Sequence, residues 1–129
     1  MFDLAGDATS HQLINEFYAD NKIVSAICHG PAALANVKLP SGEYLISGQP
    51  VTGFSNEEED AVGLTPAMPF KLEDALNKAS GGKFVKADKA WGPKVVSGRG
   101  GRLITGQNPA SATPIGQAIY DSIFGELTV

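Results

Sequence analysis

The sequence predicts an α/β layered domain. Its apolar spacing switches between a helical and a strand period along the chain, so helices and strands alternate. A short apolar run at residues 23–27, bounded by turn signals, has the length and composition of a strand buried on both faces of a parallel sheet. The 129 residues suit one domain, with no internal repeat and no linker.

Residues 8–20 read as an amphipathic helix, with Leu13, Ile14, Phe17 and Tyr18 on one face and Asp7, Thr9 or Ser10 as N-cap. His11 reads as a solvated residue of that helix. Asn21-Lys22 ends it, and the buried strand 23–27 follows. Gly30-Pro31 then opens a small-residue helix through Ala35, since proline costs little in a first turn. Residues 44–46 and 50–52 read as a hairpin around Ser47-Gly48-Gln49. An acidic cluster, Glu57 to Asp60, comes next. Residues 70–79 predict a helix with Leu72, Ala75, Leu76 and Ala79 on one side and Gly81-Gly82 as its stop. Residues 84–86, 94–97 and 102–105 read as short strands, the last two joined through the glycine-rich loop 98–101. A last helix starts near Thr113, with Ile115, Ala118, Ile119, Ser122 and Ile123 on one side.

Composition narrows the function. The net charge is −4 and the pI near 5.0, which argues against a nucleic-acid partner. Cys28 is the single cysteine, and His11 and His29 are the only histidines. An intramolecular disulfide and a four-ligand structural zinc site of cysteine and histidine are therefore excluded. A free thiol fits a reducing compartment. The first residues show no signal-peptide pattern, and no window is apolar enough to span a membrane, so a cytoplasmic protein with no membrane partner is expected.

The chemistry concentrates at Cys28. A buried-type strand runs into a nucleophile-capable residue, a helix starts directly after it, and small residues stand two before and two after, at Ala26 and Gly30. That is the spacing of a nucleophile elbow. A thiol at a helix N-terminus is expected to have a lowered pKa. The backbone N–H groups of His29 and Gly30 are the oxyanion donors this geometry offers, and His29 is a base or proton shuttle in reach. On spacing alone a lone cysteine is as readily a small buried hydrophobe. Trp91 reads equally as a pocket wall and as a core or surface aromatic.

Ala26-Ile27-Cys28-His29-Gly30-Pro31-Ala32-Ala33-Leu34 resembles the nucleophile segment of the ThiJ/PfpI superfamily. Met1-Phe2-Asp3-Leu4 with Glu16-Phe17-Tyr18, the stretch Val51 to Glu59, and the stretch Leu103 to Ser111 resemble other parts of that family in the same order. The match is nearest to its chaperone-like, glutathione-independent glyoxalase III branch. The resemblance implies a three-layer sandwich on a mostly parallel sheet, flavodoxin-like and similar to class I glutamine amidotransferases. It further implies that residues 1–129 form the C-terminal portion of one family domain, incomplete at its N-terminus. The segment implied to precede it carries the first strands, a glutamate that bonds the cysteine, and a glycine-rich turn. The implied activity is conversion of methylglyoxal to D-lactate by a lyase of the D-lactate dehydratase type, with Cys28, His29 and Glu59 as catalytic triad. Glu57, Glu58 and Asp60 are equally acidic, and register alone selects Glu59. No metal or organic cofactor is implied. The partners implied are small dicarbonyls, methylglyoxal or glyoxal, and an exposed sheet edge leaves room for a homodimer. A holdase or redox-stress protein without turnover, and a cysteine peptidase or amidase, are the alternative readings of the same fold.

Overall fold

The computed structural model describes residues 1–125. Its elements in chain order are α1 (Ala8–Ala19), β1 (Val24–Ile27), α2 (Asn56–Ala61), α3 (Leu72–Ala79), β2 (Val95–Gly98), β3 (Leu103–Gly106) and α4 (Ala112–Phe124). Among the described residues the three strands form one mixed sheet in the order β1-β3-β2. β1 runs parallel to β3, Val24 opposite Leu103 and Ile27 opposite Gly106. β2 runs antiparallel to β3, with Gly98 opposite Leu103.

Alternation along the strands separates two faces. Val24 and Leu103 point into the main core with Leu34, Ala35, Val37, Leu45, Ile46, Val51, Leu72 and Leu76. Ile27 and Gly106 point the other way, under Ile115 of α4. A Cβ on Gly106 would lie 3.1 Å from Ile27 Cγ1 and 3.2 Å from Ile115 Cδ1, so glycine lets α4 sit close to the sheet. Asp7 caps α1 through Ser10 N–H at 2.8 Å. Ile14 and Tyr18 pack on the core, but Leu13 and Phe17 of the same helix are 57% and 51% exposed.

Three expectations are corrected. Residues 44–46 and 50–52 do not pair with each other. Tyr44 bridges Lys38, and Leu45 N–H bonds Val37 C=O at 2.9 Å, while Val51 bridges Phe84. Leu45, Ile46 and Val51 are wholly buried, so each run is spent on the core and neither is left as a half-exposed hairpin arm. The strand expected at residues 84–86 is reduced to that single bridge. The helix expected after Cys28 is a four-residue 3₁₀ turn, Gly30–Ala33.

Candidate active site

Cys28 follows β1 directly and has φ +63°, in the left-handed region. Such a conformation costs a residue with a Cβ about 1–3 kcal/mol and persists only where its surroundings fix it. Here both peptide neighbours are tied. Cys28 N–H donates to Gly106 C=O at 3.0 Å, and Phe54 N–H donates to Cys28 C=O at 2.8 Å. The small residues of the elbow have steric reasons. A Cβ on Gly30 would lie 3.3 Å from Ala26 Cβ, and one on Gly53 would lie 2.9 Å from Leu76 Cδ1 and 3.3 Å from Cys28 O.

The next residue turns its imidazole back along the chain. Sγ of Cys28 lies 3.6 Å from Nδ1 of His29, and Nε2 of His29 lies 2.5 Å from Oε2 of Glu59. The imidazole therefore stands between a thiol and a carboxylate. Glu59 keeps 9% side-chain exposure and His29 34%, so the carboxylate end of this relay is dry and the imidazole at its middle is reachable. Phe54 lies against the imidazole, ring centroids 4.5 Å apart, and Trp91 meets Phe54 edge-on at 5.6 Å.

The thiol is not lowered as its position at the elbow predicts. Burial pushes its pKa up, the His29 backbone N–H pulls against this, and the charges of Glu58 and Glu59 add to the rise. A 3₁₀ turn of four residues also offers a smaller dipole than the α-helix the expectation assumed. Of the two predicted oxyanion donors, the His29 N–H is directed at the thiol. Among the described residues, no three His, Cys, Asp or Glu side chains come together as a metal site requires.

The structure thus brings together Cys28, His29 and Glu59, and places Trp91 at the aromatic wall beside them, 42% exposed. His11 lies elsewhere, its ring bonded to Ala5 C=O. Sequence reasoning passed over Phe54 and treated Glu58 as one of several equally acidic neighbours of Glu59. Glu58 is wholly buried beside the site. The signal was present: Ser55-x-x-Glu58 is a capping box, and both of its reciprocal bonds form.

No protein-family model matches the chain. Solved structures and curated proteins do. The Rapid Encystment Protein 24 KDa of Francisella tularensis superposes with a TM-score of 0.88 at 46% identity, over 95% of this chain and 53% of that one. The crystal structure of glyoxalase III from Candida albicans superposes with a TM-score of 0.83 at 29% identity, over 94% of this chain and 52% of its own. The chain belongs to the glyoxalase III-like branch of the ThiJ/PfpI superfamily. Its α/β architecture, a mixed sheet flanked by helices, is that of the family. A probable glutathione-independent glyoxalase of Schizosaccharomyces pombe, hsp3103, is 36% identical over 120 residues, which are 88% of this chain and 45% of the relative. The chain spans about half the length of the curated relatives it matches. No helix among the described residues is long and apolar enough to cross a membrane.

Proposed function

We propose that this branch member is a glutathione-independent glyoxalase that converts methylglyoxal to D-lactate on Cys28. The observation that carries the reading is the continuous relay Cys28 Sγ, His29 imidazole, Glu59 carboxylate. A thiol whose pKa is raised by burial rests protonated near neutral pH, so attack needs a base at the sulfur, and Nδ1 of His29 is placed to be that base. Glu59 on Nε2 fixes the tautomer with the lone pair on Nδ1 and stabilises the imidazolium that forms.

The chemistry balances without a redox partner. The sulfur adds to the aldehyde carbon, and the carbonyl oxygen takes a proton to give a hemithioacetal. His29 removes the proton from that carbon and passes it to the ketone oxygen, giving an enediol. The first hydroxyl then gives up its proton as the neighbouring carbon takes one, leaving a thioester of the 2-hydroxy acid. Water cleaves the thioester, releases lactate and restores the thiol. The Phe54 and Trp91 rings are an apolar wall for a substrate with one methyl group.

The test is D-lactate formation and methylglyoxal loss in the absence of glutathione. Cys28→Ala is expected to fall to background. Glu59→Ala is expected to lose about 10²-fold or more in kcat, the range of a general acid–base contribution. Turnover that survives Cys28→Ala overturns the assignment. Suppression of client aggregation by a turnover-free wild type, unchanged in Cys28→Ala, would put the holdase reading in its place. The exposed apolar side chains of α1 and α4 are what that reading would use.

A further inference from the structure

We propose that Glu58, which lies outside the Cys28–His29–Glu59 relay, is the positioning residue of this site. Its buried carboxylate gathers five donors from three separate segments. Oε1 accepts from Ser55 N–H at 3.0 Å, Ser55 Oγ–H at 3.0 Å and the Gln107 amide at 2.9 Å. Oε2 accepts from Trp91 N–H at 2.9 Å and the Asn108 amide at 2.8 Å. Every one of these contacts donates to Glu58, so the group acts as acceptor only, which an ionised carboxylate does and a protonated acid or an amide does not. No cation pairs with it among the described residues. Hydrogen bonds alone compensate the burial of its charge.

The segments it collects are the walls of the site. Ser55 opens α2, one residue after Phe54, whose N–H holds the strained Cys28 peptide. Glu59 is the next residue of α2, so fixing Glu58 fixes the direction in which Glu59 projects toward His29. Trp91 itself has φ +69° and is held in that conformation by the bond to Oε2. Gln107 and Asn108 follow β3, whose last residue, Gly106, accepts from Cys28 N–H. Glu58 does not activate the thiol, because its negative charge works against a thiolate. Its part is to hold Glu59 on Nε2 of His29 and to hold the Phe54–Trp91 wall over the imidazole.

This inference rests on the proposed reading of the site, so its test uses signals independent of turnover. The proton shared by His29 Nε2 and Glu59 should give a far-downfield NMR resonance, assignable because the chain has only two histidines. Trp91 is the only tryptophan, so its emission reports the wall directly. Glu58→Gln puts an N–H donor among donors and is expected to remove or move that resonance upfield, red-shift the emission, and lower kcat more than it changes KM. Glu57→Gln, on the exposed neighbour, is expected to leave both signals in place. Val37→Ala, a core truncation away from the site, is expected to lower Tm without moving the resonance, which separates positioning from general loss of stability. Should Glu58→Gln fail to fold, Gln107→Met removes a single donor and is expected to shift both signals in the same direction by less. An unchanged resonance and emission in folded Glu58→Gln, or in Gln107→Met where Glu58→Gln does not fold, overturns the proposal. A wild type that shows the resonance but makes no lactate overturns the glyoxalase reading and leaves this one standing.

Discussion

At the scale of single residues, the thiol and its neighbours set opposing demands. Burial keeps Cys28 dry enough for covalent chemistry and also pushes its pKa up, and two carboxylates push it further. The thiolate is therefore scarce at neutral pH and grows as pH rises past the thiol's raised pKa. Alkylation of Cys28 by iodoacetamide is expected to show a midpoint above that of an ordinary cysteine. Glu59→Gln removes one of the opposing charges, so its midpoint should move down, toward more thiolate at a given pH. The same variant should turn over more slowly, because the imidazole loses its partner. A midpoint that stays put in Glu59→Gln would show that the sulfur does not sense this carboxylate. The linkage to stability has the matching sign: a thiol whose folded pKa is raised contributes stability below its unfolded pKa and loses it as pH rises through the folded value.

At the scale of elements, α2 is the piece that joins fold to site. It has only six residues and owes its existence to its cap. Ser55 Oγ accepts from Glu58 N–H at 3.2 Å and donates to Oε1 of the same residue. Ser55→Ala should cost about 1 kcal/mol, within the range for loss of an N-cap hydroxyl. Thermal melting should show a Tm drop of several degrees, and an unchanged Tm would mean that α2 is held by its buried carboxylates without its cap. α1, α3 and α4 were legible because each carries a helical period, and the three strands because each is a short apolar run between turn signals, whereas α2 showed only as a run of acids. Leu72 and Leu76 of α3 and Ile115 of α4 are buried where the spacing puts them. The pairing of residues 44–46 with 50–52 was not legible, because a wholly buried run such as Val51-Thr52 has no alternation to reveal its partner. Cys28 and His29 were named from the elbow spacing and Glu59 from the register of the family resemblance, and the structure sets the three in a line of contacts. Glu58 was hidden in a charge run, since burial of a carboxylate depends on donors from Trp91, Gln107 and Asn108, remote in sequence.

At the scale of the whole molecule, the described sheet leaves β1 at its edge. Val24 and Cys28 donate to Arg102 and Gly106 of the β3 side, so the alternate residues Ser25 and Ile27 turn their backbone N–H groups away from β3. Beside that edge lies a cleft of about 780 Å³ lined by Phe17, Ile23, Ser25, Arg102, Ile119 and Ile123. Phe17 and Ile123 at its rim are more than half exposed. An unpaired edge next to exposed apolar side chains is a template for association. The chain of 129 residues is therefore expected to self-associate. Sedimentation across a concentration series should give a mass above 13.5 kDa that falls on dilution. Phe17→Lys together with Ile123→Lys places two like charges at the contact and should return the monomer mass. Both side chains are already solvent-facing, so the double variant should melt within a few degrees of the wild type. A wild type at monomer mass over the whole series would show that α1 and α4 shield the β1 edge well enough by themselves.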